Sequence, residues 1–310
     1  MASTHPRKRL NMRLIPCLQK ARLRHSNRRH IRAGRDAAAS NASGDMNMAS
    51  QPPSGTLPIF YGGLEPLSSS LHSGYRSRSS DRAPFLATNH AVPITIDEFV
   101  AVQRYFPIVF SVGENPVPLA LMGLNEGVNV FVDDEGKLLG EAYLPAYVRR
   151  YPFMLARLAP DAQELSLCFD PTSGLIGDFP EGDALFDDGK PSETTNNVLK
   201  FCEEFELSAQ RTVAFMAELK TSELLMDGEV TIQPPGAGQP FVYRGFQMIN
   251  EEKLREVDGD ELKRMNQNGM LPLILAHLFS MSIVRDIFAK QMQQGKGPEV
   301  PGFGAPAGNA

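Results

Sequence analysis

The chain of 310 residues has no tryptophan and only three cysteines, Cys17, Cys168 and Cys202. Three is an odd number, and the spacings are wide. No CxxC pair and no Cys/His zinc spacing occurs, which excludes a disulfide framework and a zinc ribbon. Histidine is equally sparse: beyond residue 50 only His72, His90 and His277 remain, with no HxxxH or HExxH pairing, so no metal is expected. No GxxxxGK[ST] loop, no GxGxxG after a strand and no GxSxG elbow is present, and no cofactor is expected. The longest apolar run, residues 270–284, falls short of the ~20 residues that span a bilayer, and it contains Pro272 and His277. It reads as a buried helix rather than a transmembrane segment. Residues 1–35 lack an apolar core of signal-peptide length. A soluble chain is expected, cytoplasmic or peripheral to an envelope.

Charge is unevenly distributed. Residues 1–50 carry 11 Lys+Arg against 2 Asp+Glu, a balance of +9; the remaining 260 carry 20 against 34, a balance of −14. Nucleic-acid binding needs a basic face to displace counterions from phosphates. An acidic body offers none, so nucleic acid is excluded as its partner. Residues 1–57 hold no apolar periodicity and are expected to be a disordered basic arm. It reads as a transit-type peptide, as a tail for an acidic partner, or as an over-extended start before Met46 or Met48. A Gly/Pro/Ala tail, 295–310, is expected to be disordered as well.

Between them, residues 58–294 read as one α+β domain, a mainly antiparallel sheet packed by several helices. Short apolar runs at 91–96, 106–112, 118–124, 128–132 and 165–169 predict strands, separated by Gly, Asn and Asp turns. Residues 151–158 predict a short helix, and 97–105 another with Asp97 as its cap. Ser192 opens the clearest helix: Val198, Phe201, Cys202, Phe205, Ala209, Val213, Met216 and Leu219 recur at steps of three and four. Residues 229–232 and 241–249 predict strands, and 251–265 and 272–291 two last helices.

Several side chains stand out chemically. YVRRYPF places Tyr147, Arg149 and Arg150 together, a set suited to gripping a carboxylate or phosphate by bidentate hydrogen bonds; pairing of an arginine with the acidic loop 178–188 explains the same residues. The acidic cluster to which that loop belongs, Asp170, Asp178, Glu181, Asp183, Asp187 and Asp188, matches no EF-hand. His277 lies mid-helix among Leu273, Ile274, Leu278 and Met281, where it is either a hydrogen-bonded core residue or a general base. Cys168 and Cys202 sit on apolar runs as small hydrophobes.

Five segments resemble the bacterial SapC family in order and spacing: LEPLSSSLHSGYRSRSS, HAVPITIDEF, RYFPIVFSV, LGEAYLPAYVRRYPFML and GFQMINEEKLREVDGDELKRMNQNGMLPLILAHLFSM. The resemblance covers about residues 62–294. It implies an accessory or binding protein of a surface-layer or envelope-linked process, with a protein partner there and no defined catalytic activity. The alternative is an enzyme acting on a small molecule or peptide, its pocket lined by Arg149, Arg150, His90 and His277; these four and Tyr147 are the ligand-binding candidates.

Overall fold

The structure, a computed structural model, describes residues 57–159, 164–234 and 239–297. The basic arm and the last residues of the tail lie outside them. The fold is α+β, as its sequence pattern predicts, with antiparallel sheets and seven α-helices among the described residues. Where the sequence reads as one domain, the described residues group into two compact units, one formed by 79–150 with 207–297, the other by 57–78 with 151–206.

The first unit is organised by a five-stranded antiparallel sheet. Its strand order is Leu225–Asp227, Gln247–Ile249, Ile108–Phe110, Pro118–Leu121 and Ala91–Pro93. Ile108, Val109 and Phe110 are all fully enclosed, so this strand has no polar face, as expected of a central strand covered on both sides. The helix Met270–Ser280 packs on that strand and on Gln247–Ile249. It continues through a single 3-10 turn into Val284–Gln293. The continuous segment Met270–Gln293 is 24 residues, longer than the apolar run alone suggests. By length and composition it could cross a membrane, and 39% of its most apolar window is buried in the protein.

The second unit has a three-stranded sheet, Glu65–Pro66 next to Ser166–Phe169 next to Phe153–Ala156. Phe153, Leu155, Leu167 and Phe169 pack there with Ile176, Leu185, Phe186, Val198, Leu199 and Cys202. These ten side chains form the core of this unit, and each Val, Leu, Ile or Phe among them is worth about 1.5–3 kcal/mol when removed from water.

Several elements differ from the sequence expectation. Residues 151–158 are a strand, Phe153–Ala156, not a helix; all four side chains are buried, and a helix with no polar face gains nothing over pairing with Ser166–Phe169. The helix of that region lies just upstream, at Ala146–Arg149. Residues 128–132 form no regular strand: Val130 N–H bonds Met122 O, Val132 makes only an isolated bridge to Leu138, and the segment is tied down by the buried Asn129 side chain. Its Nδ2 donates to Leu86 O and Asn89 O, and its Oδ1 accepts from Phe131 N–H. The expected strand 241–249 breaks at Gly245, whose φ of +94° belongs to glycine. Its halves pair in different sheets, Phe241–Tyr243 with Val230–Ile232 and Gln247–Ile249 in the large one. The helix expected over 251–265 breaks where Asp258 caps a new start, accepting from Asp260 and Glu261 N–H. On Glu193–Thr221, Val213 is exposed and Thr212 faces inward instead, accepting from Ile96 N–H.

Candidate functional site

The five residues singled out by the sequence all fall in the first unit. Tyr147 and Arg149 lie on the short helix Ala146–Arg149, and Arg150 is its C-cap. What anchors this helix is Glu98, which is 6% exposed. One carboxylate oxygen accepts from Ala146 N–H at 2.6 Å and from the Tyr143 hydroxyl at 2.9 Å. The other accepts from the backbone and hydroxyl of Thr95, both at 3.1 Å. Thr95 and Glu98 therefore form a capping box, and the cap is Thr95 rather than Asp97. A buried carboxylate holding four donors is satisfied where it stands.

Arg149 is exposed, but two of its donors are used locally, on Leu144 O at 3.0 Å and the Tyr143 hydroxyl at 3.2 Å. Tyr143 thus stands between a guanidinium and a carboxylate. Burial, with the Glu98 charge adding to it, pushes its phenol up to about 12. Arg150 is 3% exposed and lies over the Tyr147 ring at 4.4 Å. Burial raises the Tyr147 phenol, and Arg150 opposes that rise.

His277 is fully buried. Its Nε2 accepts from Ile249 N–H at 3.1 Å, so Nδ1 carries the proton and donates to Ile108 O at 2.7 Å. The register of the sheet explains this bridge. Gln247 stands opposite Phe110, which places Ile249 opposite Ile108. The imidazole is inserted between two backbone groups that would otherwise bond each other. Ser280, one turn on, completes the work: its hydroxyl accepts from Ile108 N–H at 2.8 Å and donates to His277 O at 2.6 Å. Burial drives the His277 ring down to about 4, against a smaller upward pull from the Ile108 bond. It is neutral at any ordinary pH, and both nitrogens are occupied.

His90 is half-buried at the start of strand Ala91–Pro93; burial lowers its pKa, and the Glu126 charge opposes that. Its carbonyl, not its ring, is engaged, accepting from Met122 and Gly123 N–H. Neither histidine makes a hydrogen bond, ion pair or ring contact with Tyr147, Arg149 or Arg150 among the described residues. Two open clefts of this unit are lined by other residues: Lys220, Glu223, Leu225, Gln247 and Lys253 in one, Glu218, Ser222, Glu261 and Arg264 in the other. No group of three His, Cys, Asp or Glu side chains able to hold a metal occurs among the described residues.

The second unit holds a comparable polar centre. Asp170 is fully buried. One oxygen accepts from Gly62 N–H at 2.7 Å and the Tyr151 hydroxyl at 3.2 Å, the other from the backbone and hydroxyl of Thr172 at 2.8 and 2.7 Å. Burial raises the Tyr151 phenol, and the Asp170 charge adds to it. The Cys168 thiol, also buried, is pushed up to about 12 and is no nucleophile at neutral pH.

A family model described as SapC matches residues 67–287. The chain belongs to the SapC family. No curated protein and no solved structure matches it. The span shared with SapC includes all five candidate side chains, and also Asp170, which the sequence shows only as one of an acidic cluster, and Glu98 and Ser280, which the sequence reading passed over as functional groups. The signals for the last two were present: Thr95 and Glu98 have capping-box spacing, and Ser280 follows His277 by three on the same helical face. For Asp170 the local signal, an Asp-Pro turn start that uses Thr172, marks a cap only, and its other partners Gly62 and Tyr151 are distant in sequence.

Proposed function

We propose that this SapC-family chain is a non-catalytic accessory or binding protein of a bacterial surface-layer or envelope-linked process. It would act in the cytoplasm or at the periphery of the envelope, through a protein partner. One observation supports the absence of chemistry at the residues an enzyme would use. His277, the best-placed general base in the sequence, has both ring nitrogens bound to backbone groups of the sheet. A general base needs an unprotonated nitrogen within reach of a substrate proton. Here that nitrogen is spent on Ile249. Arg150 and Tyr147 are likewise buried against each other. What remains for recognition is surface, and the family resemblance supplies the setting.

The test is made in cells that produce the protein natively. His277→Gln keeps an amide that can donate to Ile108 O and accept from Ile249 N–H. Its expected outcome is normal abundance and normal function of the surface layer or envelope. A chain that accumulates normally, melts normally and yet fails to support that process would overturn the non-catalytic reading. Fractionation tests the location: release from membranes by high salt is expected, and retention after that wash contradicts a peripheral association.

A further inference from the structure

The five-stranded sheet has two edges, and they differ. Ala91–Pro93 is buried at all three positions, with a proline among them. Leu225–Asp227 is not: Met226 is 42% exposed and Asp227 is exposed. Its backbone follows strict alternation. Asn250 N–H bonds Leu224 O and Gly228 N–H bonds Phe246 O, with Met226 opposite Met248 between them. Residues 224, 226 and 228 therefore face inward to Gln247–Ile249. Leu225 and Asp227 turn their N–H and C=O groups outward, where no backbone group among the described residues pairs with them.

We propose that a second copy of this chain adds to the sheet at this edge, antiparallel, with Leu225 opposite Asp227 and Met226 opposite its own counterpart. That register alone uses every outward group. Leu225 and Asp227 form hydrogen-bonded pairs in both directions, and Met226 meets Met226 at the close, non-bonded position. The charges fit it too. Directly opposed residues share a face of the sheet, so the incoming Asp227 lies on the face of Leu225. Leu225 lines the cleft with Lys220 and Lys253, two ammonium groups against the single Glu223 carboxylate. Each ammonium is already oriented there by a backbone carbonyl, Lys220 by Glu114 O at 2.9 Å and Lys253 by Glu223 O at 3.0 Å. A charged residue on an edge strand usually blocks pairing. Asp227 blocks it for most strands but matches the cleft presented by another copy of itself.

The experiment is sedimentation velocity on the full chain over a range of concentrations. The wild type is expected to pass from monomer to dimer as concentration rises, since three residues a side give a weak contact. Leu225→Pro removes an outward N–H that the chain's own sheet does not use. It should stay monomeric throughout, with an unchanged far-UV circular dichroism spectrum. Asp227→Lys, at an exposed position that leaves the fold intact, should weaken association about tenfold, and it decides the matter if Leu225→Pro misfolds. A wild type that is monomeric at every concentration would leave the edge to another chain or to solvent, and would overturn the proposal. So would a dimer that both variants form equally well, as association through the basic arm would give.

Discussion

Each unit completely encloses a polar, titratable side chain, and the two do so by opposite means. In the first, His277 enters the interior as a neutral ring. In the second, Asp170 enters as an acid surrounded by four donors. Desolvation penalises charge far more than polarity. A group that can shed its charge needs only two partners, one to give a proton to and one to receive from. A carboxylate with four bonds keeps its place through the number of donors. Both side chains stand in for missing backbone partners: His277 between two strands, Asp170 across Gly62 and the Thr172 turn. In both units a chemically suggestive buried side chain, His277 or Asp170, is occupied in holding the backbone.

The contrast can be broken at either end. Asp170→Ala removes the acceptor from four donors at once and should cost roughly 3–5 kcal/mol, measured as a shift of the urea midpoint. An effect below about 1 kcal/mol would mean that water replaces the carboxylate without loss. His277→Ala leaves a cavity and orphans Ile249 N–H and Ile108 O; about 3 kcal/mol is expected.

The His277 node also carries a pH signature. The His277 pKa falls from 6.5 to about 4 on folding. Between those values the unfolded chain binds the proton and the folded chain does not, so this contribution to stability is full above pH 6.5 and is lost as pH falls toward 4. The loss amounts to about 3 kcal/mol. In His277→Gln that part of the acid sensitivity should vanish, which a urea titration at pH 7 and at pH 4.5 checks. Equal acid sensitivity in wild type and variant would place the ring outside the interior.

Smaller effects sharpen the picture of the long helix. Thr212→Val deprives Ile96 N–H of its acceptor and should cost about 1–2 kcal/mol in a thermal melt. Val213→Asp, one residue on and exposed, should stay within about 0.5 kcal/mol of wild type. Deleting residues 1–45 should leave the melting temperature unchanged, because that segment holds no apolar periodicity.

The sequence revealed the α+β class, the long helix and its Ser192 cap, and the centres of most of the strands it predicts, because apolar periodicity and turn residues are local signals. It misled where a distant partner decided the local structure. Residues 153–156 are a strand only because Ser166–Phe169 lies beside them. Residues 128–132 are no strand: their N–H groups go to different partners, Val128 to Asn125 O, Val130 to Met122 O and Phe131 to the Asn129 side chain. Val213 was placed on the buried stripe because it is apolar, whereas Thr212 is needed there for its hydroxyl. His277 was legible as an interior residue from its neighbours on the helix. Its wedge between Ile108 and Ile249 was not, since that depends on a register no helix pattern encodes. The role of Asp170 was legible only as a turn cap on Thr172, because its other two donors come from distant positions 62 and 151.

The account stands or falls on the protonation of one ring. Nuclear magnetic resonance of the 15N- and 13C-labelled histidines reports tautomer and pKa directly. For His277 a neutral ring with the proton on Nδ1 is expected from pH 8 down to about 5, with titration only below that. A proton on Nε2, or a midpoint at or above the ordinary 6.5, would show that the ring is not held between the strands and would return His277 to the list of residues available for chemistry.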